Sequence, residues 1–230
     1  MRLDKTICES TPLTRSQAKK VISQGRITCD DKIIRSSAFK PSKDAVLTFD
    51  GKIIAIRGPR YLMLNKPENF ICSNVDEQLP SLFNLIDVEK KEQLFIAGRL
   101  DADTTGLTLI TDDGKWSHKI TSPRNKCIKR YHIGLDAPLC EDAVALFKAG
   151  IQLKSENQHC LPAELIIISP TEVILSISEG KYHQVKRMFG AIGNLVIELH
   201  RDKIGDIELD SALALGEWRY LTETEINSIK

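Results

Sequence analysis

Residues 98–107 have the sequence Gly98-Arg99-Leu100-Asp101-Ala102-Asp103-Thr104-Thr105-Gly106-Leu107. This is the densest polar stretch after residue 60, and apolar segments flank it, Leu94–Ala97 before it and Leu107–Thr111 after it. Short apolar runs bounded by turn residues are typical of buried strands. We therefore expect a loop between two strands, with carboxylate side chains where the chain turns.

The composition of this loop allows three interpretations. A calcium-binding EF-hand loop matches several positions from Asp101 to Asp112, but an EF-hand is flanked by helices, and these flanks are strand-like. A retaining glycosidase needs two carboxyl groups about 5 Å apart, which Asp101 and Asp103 would supply. In the third interpretation, which we favour for Asp103, Thr104 and Thr105, the side chains hydrogen-bond to their own backbone.

The rest of the chain alternates short strand-like segments with helical ones. The other predicted strands are Tyr61–Leu64, Tyr131–Leu135, Ala163–Ile168 and Val173–Ile177, and the predicted helices are Glu141–Ala149, Tyr182–Ile192 and one from Glu223. Their spacing is too irregular for a βαβ series, and the last two strands are separated by a short turn typical of a hairpin. We predict an α+β fold with a mixed, mainly antiparallel sheet.

The N-terminal part of the sequence is basic and the remainder is acidic. Residues 1–60 contain 13 Lys and Arg against 6 Asp and Glu, a net charge of +7, whereas residues 61–230 contain 19 against 25, a net charge of −6. Lys and Arg that neutralise phosphates supply most of the sequence-independent affinity for nucleic acids. This asymmetry indicates that the N-terminal part binds a polyanion.

A small α/β domain is predicted for this basic part. Thr14 and Gln17 form a capping box, so a helix should begin at Arg15, and Gly25 should end it. The spacing of apolar residues predicts that Ala18, Val21 and Ile22 form the buried face of this helix. A hairpin should follow it, with strands Arg26–Thr28 and Lys32–Ile34 on either side of the turn Asp30-Asp31. Gly58-Pro59-Arg60 then breaks the pattern. We place the domain boundary there, giving a head of residues 1–59 and a body of residues 60–230.

Composition excludes several classes of protein. Hydrophobic residues make up 42% and charged residues 27% of the chain, which is ordinary for globular proteins. No apolar run reaches membrane-spanning length, and the charged N-terminus predicts no secretory signal, so we expect a cytoplasmic protein with no membrane partner. The six cysteines lack C-x-x-C spacing, so neither a metal site nor a disulfide framework is expected.

Two long motifs identify a family. Gly98–Leu107, and the later stretch Glu179-Gly180-Lys181-Tyr182-His183-Gln184-Val185-Lys186-Arg187-Met188-Phe189, resemble the signature motifs of ribosomal pseudouridine synthases. Residues 1 to 52 resemble the S4 RNA-binding domain that one branch of this family carries, and the likeness is greatest to small-subunit enzymes, which act on 16S rRNA. The resemblance implies an S4-like head and a pseudouridine synthase body that need no cofactor.

The resemblance also implies roles for single residues. Asp101 matches the family's catalytic aspartate, which attacks C1′ of the uridine or, in a glycal route, removes the C2′ proton. Lys186 matches the position where related enzymes usually carry Arg, and a nearby cation favours the ionised form of a carboxylate. Tyr131 matches the tyrosine that stacks on uracil and relays the C5 proton, and Arg99 matches the arginine that fills the space of a flipped-out base. We therefore predict Asp101, Tyr131 and Lys186 as catalytic.

Further basic and polar residues are candidates for RNA contact. They are Arg99, Lys181, Gln184 and Arg187 in the body, and Arg2, Arg15, Lys19, Lys20 and Arg26 in the head. The expected partner is ribosomal RNA, either 16S rRNA or a small-subunit assembly intermediate, and the expected state is a monomer. The alternative is a ribosome-assembly factor without catalytic activity. The presence of Asp101, Tyr131 and Lys186 argues against it.

One position departs from the family pattern. The motif that usually runs Lys-Pro-x-Gly is here Lys66-Pro67-Glu68-Asn69. Asn tolerates the left-handed backbone conformation better than most residues, so we expect the turn to be preserved.

Overall fold

Two units divide the chain between Pro59 and Arg60. The structure is a computed structural model that describes residues 1–42, 44–154 and 156–230. In the first unit, helix α1 (Leu3–Ser10) precedes helix α2 (Arg15–Ser23). The start of α2 is confirmed, since the Thr14 hydroxyl accepts from the Gln17 N–H and the Gln17 amide oxygen accepts from the Thr14 N–H.

A four-stranded antiparallel sheet completes this unit, in the order β2-β1-β3-β4. Its strands are β1 (Ile27–Cys29), β2 (Lys32–Ile33), β3 (Leu47–Phe49) and β4 (Lys52–Ile53). The predicted hairpin is confirmed as β1 and β2, and Asp30 and Asp31 turn the chain with φ of 49° and 62°. The predicted face of α2 packs with α1 and the sheet into one apolar core, which includes Leu3, Ile7, Ala18, Val21, Ile22, Ile27 and Leu47.

The second unit is built on a nine-stranded sheet in the order β13-β5-β7-β11-β8-β10-β9, with β6 paired to β7 and β12 paired to β11. Its strands are β5 (Tyr61–Lys66), β6 (Phe95–Ala97), β7 (Thr105–Thr111), β8 (Lys129–Leu135), β9 (Glu164–Ser169), β10 (Glu172–Ile177), β11 (Val196–Ile204), β12 (Ile207–Glu208) and β13 (Trp218–Tyr220). The pairing of β7 with β11 is parallel and the others are antiparallel. The predicted mixed, mainly antiparallel α+β fold is confirmed.

Helices cover both faces of this sheet. They are α3 (Gly114–Thr121), α4 (Ala143–Ala149), α5 (Gln184–Ala191) and α6 (Glu223–Ser228), with short 3₁₀ helices at Leu82–Leu85, Lys91–Gln93 and Pro123–Asn125. Leu62 and Leu64 of β5 belong to the core that contains Phe147 and Phe189, whereas Met63 belongs to the core of Trp116. Because successive strand residues point to opposite faces, β5 is buried on both sides.

Among the residues that the structure describes, no helix is long and apolar enough to cross a membrane.

Candidate active site

A cavity of about 710 Å³ opens in the second unit beside the loop between β6 and β7. This volume is in the range typical of ligand-binding pockets. Most of its lining comes from three parts of the chain: the loop itself, strand β8, and the segment that leads from β10 into α5. Six predicted site residues line the cavity together, namely Arg99, Asp101, Tyr131, Lys181, Gln184 and Lys186.

Asp101 lies in this loop with 29% of its side chain exposed. Nζ of Lys186, in the first turn of α5, is 3.9 Å from Oδ2 of Asp101. On the other side, Nε2 of His183 is 3.5 Å from Oδ1. The carboxylate therefore faces the cavity between two basic side chains, and His183 is a neighbour that the sequence motif did not single out.

Lys186 also contacts Asp103 directly, and this second carboxylate is 70% exposed. Partial burial acts to raise the pKa of Asp103, but the hydrogen bond and the charge of Lys186 outweigh it and lower the pKa below its ordinary value. A hydrogen bond from its own backbone also lowers the pKa of Asp103, as expected for this loop. The same expectation is wrong for Thr105, whose hydroxyl lies 2.8 Å from Nδ1 of His200. Lys186 thus bridges the two carboxylates of the loop.

A single row of residues across the sheet supports the cavity. Successive pairings place Lys66 opposite Gly106, Gly106 opposite Arg201, and Arg201 opposite Tyr131. Gly106 has φ of +103°, and a Cβ added there would lie 2.2 Å from the Arg201 carbonyl oxygen. Glycine is therefore required at this position, since a side chain would collide with the backbone of β11.

The two cations of this row, Lys66 and Arg201, are almost completely buried, at 0% and 1% exposure. Both donate to backbone carbonyls in and beside the loop that carries Asp101. Lys66 Nζ donates to Ala102 O at 3.1 Å and to Thr104 O at 2.8 Å, and burial lowers the pKa of its ammonium group. These bonds compensate part of the cost of burying the charge.

Arg201 holds the same loop from the other side. Its Nη2 donates to Gly98 O at 2.7 Å, and its Nε donates to Leu107 O at 2.9 Å. Its Nη1 lies 3.5 Å from the Tyr131 hydroxyl and 3.4 Å from Arg99 O. Because a guanidinium has no acceptor, the Tyr131 oxygen must accept in this contact, which leaves its own proton available for another partner.

The signal for these two cations in the sequence is weak. Lys66 and Arg201 are charged residues inside strands, where an unpaired charge is costly, and this is the feature that could have marked them. Asn69, in contrast, behaves as predicted, since it takes φ of 63° and its N–H donates to Ala102 O at 2.9 Å. The prediction that this turn is preserved without the family glycine is therefore confirmed. The hydrogen bond to Ala102 O also ties the turn to the loop that carries Asp101.

The remaining predicted RNA-contact residues of the body differ in their surroundings. Gln184, a candidate for RNA contact, is only 4% exposed, and its side chain accepts from the Lys181 N–H at 2.8 Å and donates to Glu179 at 2.9 Å. Its amide therefore stabilises the segment before α5. Lys181 and Arg187 lie 3.8 Å and 3.1 Å from carboxylate oxygens of Glu156.

The predicted cations of the head fall into two groups. Arg2 and Arg15 both contact the fully buried Asp4, at 3.1 Å and 3.3 Å. Burial acts to raise the pKa of Asp4, but the hydrogen bonds from both arginines lower it overall. Arg26 donates to Asp50 at 2.9 Å and lies over the Phe49 ring.

The second group consists of Lys19 and Lys20, which are exposed on α2. Two lysines on one open helix surface are suited to phosphate contact. Within residues 1–42, 44–154 and 156–230, no group of three or more His, Cys, Asp or Glu side chains is arranged to hold a metal ion.

Comparison with known proteins gives consistent matches to both units. Residues 60–191 match the RNA pseudouridylate synthase family, and residues 1–47 match the S4 domain. The chain is 49% identical to the ribosomal small subunit pseudouridine synthase A of Escherichia coli (strain K12), over 100% of both chains. It is also 49% identical to the protein of the same name from Vibrio vulnificus (strain CMCP6), over 100% of this chain and 99% of that one.

A solved structure described as a pseudouridylate synthase matches as well. It is 45% identical, covers 100% of both chains, and superimposes with a TM-score of 0.73. The resemblance inferred from the two sequence motifs is confirmed.

Proposed function

This chain belongs to the RNA pseudouridylate synthase family, and we propose that it converts one uridine of 16S rRNA to pseudouridine with Asp101 as the catalytic carboxylate. The observation that carries the proposal is the position of Asp101 in the cavity, between Lys186 and His183. Full-length relatives named for the small ribosomal subunit support the choice of RNA. The site of action is then the cytoplasm, where ribosomal subunits are assembled.

The reaction exchanges one glycosidic bond for another. The N1–C1′ bond of the uridine breaks, the uracil turns within the cavity, and a C5–C1′ bond forms. The hydrogen at C5 leaves as a proton and N1 gains a proton, so that the product is an isomer and no oxidant is needed. Asp101 begins the sequence, either by attack on C1′ or, in the glycal route, by removal of the C2′ proton.

We assign supporting roles to the side chains around Asp101. Lys186 attracts the carboxylates of both Asp101 and Asp103, which restricts where the Asp101 oxygens lie. Tyr131 accepts a hydrogen bond from Arg201, and its hydroxyl is therefore oriented for proton transfer at C5.

The target uridine has to leave its base stack, because C1′ is inaccessible inside stacked RNA. Arg99 is exposed at the cavity and is placed to occupy the space that the base vacates. The S4-like head supplies affinity through its exposed cations, Lys19 and Lys20 among them.

Mapping of pseudouridine tests this function. Purified protein is incubated with unmodified 16S rRNA and, in parallel, with unmodified 23S rRNA, and each RNA is then sequenced for pseudouridine. We expect conversion at one uridine of 16S rRNA and none in 23S rRNA. Conversion in 23S rRNA alone would refute 16S rRNA as the substrate. RNA binding without conversion would indicate an assembly factor, and release of free uracil would indicate a glycosidase.

A further inference from the structure

Tyr182 is an aromatic residue at the cavity, and it is unusually exposed for a side chain of its size. It lines the cavity, yet 76% of the residue is accessible to solvent. Exposed tyrosines with an open ring face are the groups on which proteins stack unpaired bases of single-stranded RNA. The reaction assigned to Asp101 leaves Tyr182 without a role.

One face of the Tyr182 ring is already covered by an imidazole. The rings of Tyr182 and His183 are 3.8 Å apart between centroids, with an interplanar angle of 20°. His183 reaches this position with a left-handed backbone, at φ of 46°. A non-glycine residue in that conformation is uncommon, and such strain is often stored at functional sites.

Local hydrogen bonds fix the backbone on both sides of this pair. Arg187 Nη1 donates to Tyr182 O at 3.1 Å, and the Arg187 N–H donates to His183 O at 3.0 Å. On the preceding side, the Lys181 N–H donates to the buried amide of Gln184. Because the backbone is held, little conformational entropy remains to be lost when a base stacks on the exposed ring face.

The same imidazole links the tyrosine to the catalytic carboxylate. Nε2 of His183 is 3.5 Å from Asp101, so a single ring separates Asp101 from Tyr182. A uridine whose C1′ meets Asp101 would place the adjoining nucleotide of its strand near the cavity mouth. The open face of Tyr182 is the stacking surface available there.

We propose that Tyr182, backed by His183, forms a subsite that stacks the base next to the target uridine in the same RNA strand. This inference rests on the proposed function, since it takes the reactive uridine to lie at Asp101. The subsite selects for an unpaired neighbouring base and for a planar one, with no preference among the four bases, because every base offers a stacking face. Tyr131 and Tyr182 then hold two consecutive bases.

The test uses the full chain and short RNA fragments spanning the uridine that mapping identifies. Three fragments are compared: the intact RNA, one with an abasic nucleotide on the 5′ side of the target, and one with it on the 3′ side. Binding is followed by fluorescence anisotropy. The variants are Tyr182→Leu and Tyr182→Phe, and Tyr220→Leu is the control, since Tyr220 is 52% exposed and lies outside the residues that line the cavity.

For the unaltered protein, we expect one of the two abasic fragments to bind about 5- to 100-fold more weakly than the intact RNA. Tyr182→Leu should weaken binding of the intact RNA by a similar factor. In this variant, the abasic fragment should bind less than about twofold more weakly than the intact RNA. Tyr182→Phe and Tyr220→Leu should bind the intact RNA as the unaltered protein does, because neither removes the stacking ring.

The inference would be overturned if the abasic nucleotide weakened binding by the same factor in Tyr182→Leu as in the unaltered protein, because Tyr182 would then not contact that base. Equal binding of all three fragments by the unaltered protein would overturn it as well. Either result leaves the proposed function standing when mapping finds conversion of the uridine. Failure of the mapping experiment itself would refute the function instead.

Discussion

The Tyr131 hydroxyl lies 3.5 Å from Nη1 of Arg201, a residue that is only 1% exposed. The same guanidinium holds the carbonyls of Gly98 and Arg99, just before Asp101 in the chain. Arg201 therefore connects the two sides of the cavity, the strand that carries the tyrosine and the loop that carries the aspartate. It acts as a positioning residue, because it reaches the reaction through Tyr131 and the loop.

Replacing Arg201 should affect the reaction more than the binding of RNA. We expect Arg201→Met to lower kcat by about 10- to 100-fold, because small displacements of catalytic groups are costly, while KM stays within about threefold. Arg201→Lys should restore part of kcat, since it keeps a donor near Tyr131. Steady-state kinetics on 16S rRNA measure both constants, and thermal unfolding reports whether the variants fold.

A raised KM with unchanged kcat would contradict this role of Arg201. Should Arg201→Met fail to fold, Tyr131→Phe removes the oxygen that accepts from Arg201 and leaves the bonds to the loop intact. We expect that variant to show the same selective loss of kcat.

Lys186 should also act on the reaction, because its ammonium group contacts Asp103 and lies 3.9 Å from Asp101. We expect Lys186→Met to lower kcat by about 10²- to 10³-fold, as loss of a charged group in an active site commonly does, with little change in the dissociation constant of the RNA. Lys186→Arg should retain more activity, since the charge is kept. Single-turnover rates and anisotropy titrations separate the two effects.

The matched comparison is Lys181→Met, another cation that lines the cavity. Since it faces Glu156 rather than Asp101, we expect it to weaken RNA binding more than it slows the chemical step. Parallel losses of rate and affinity in Lys186→Met would argue against a role on the carboxylates.

The exposed lysines of α2 should control the salt dependence of binding. Each phosphate contact that is lost reduces the slope of log K against log[salt] by about 0.7–0.9. We expect Lys19→Ala with Lys20→Ala to weaken binding and to flatten the slope by nearly twice that amount. Lys115→Ala with Lys148→Ala removes two exposed lysines of the second unit, and an equal effect of that control pair would count against the head as the RNA anchor.

Local sequence predicted those parts of the fold that depend on neighbouring residues. The capping box of Thr14 and Gln17 located α2 to the residue, and the turn at Asp30-Asp31 located the first hairpin. Strand β11 was missed, although it is central to the larger sheet, because Glu198, His200, Arg201, Asp202 and Lys203 give it no apolar run. Its position depends on pairing with distant strands, which local patterns do not encode.

The site was predicted in its parts but not in its connections. The family resemblance located Asp101, Tyr131 and Lys186, and the structure places all three at one cavity. Contacts between distant segments could not be foreseen, such as that of Lys186 with Asp103 or those of Lys66 with the loop carbonyls. The predicted helix Tyr182–Ile192 is wrong at its start: α5 begins at Gln184, because His183 takes a left-handed backbone conformation just before it.

An ion pair near the C-terminus makes the stability of the second unit dependent on pH. Hydrogen bonds from Arg219 lower the pKa of Glu225 to about 2, from an ordinary value of 4.5. A lowered pKa in the folded state stabilises the protein above the unfolded value and ceases to do so as the pH falls through the folded one. The contribution is thus complete above pH 4.5 and is lost between pH 4.5 and 2.

Glu225→Gln should therefore lower the free energy of unfolding at pH 7 by about 1–2 kcal/mol, a value reduced for solvent screening. The difference from the unaltered protein should shrink below pH 4.5. Glu223→Gln, which removes an exposed carboxylate of the same helix, should have little effect at either pH. Urea unfolding at several pH values measures this, and a difference that is independent of pH would exclude the ion pair as its cause.

The role of Asp101 is tested most directly by release of tritium from 16S rRNA labelled at C5 of uridine, because formation of the new C5–C1′ bond requires that hydrogen to leave. We compare Asp101→Asn with Asp103→Asn, two variants that each remove one carboxylate of the same loop. The predicted result is release at a rate lowered on the order of 10⁴-fold or more in Asp101→Asn, and within about tenfold of the unaltered protein in Asp103→Asn. Near-normal release by Asp101→Asn, or loss in Asp103→Asn alone, would contradict the assignment of Asp101 as the catalytic carboxylate.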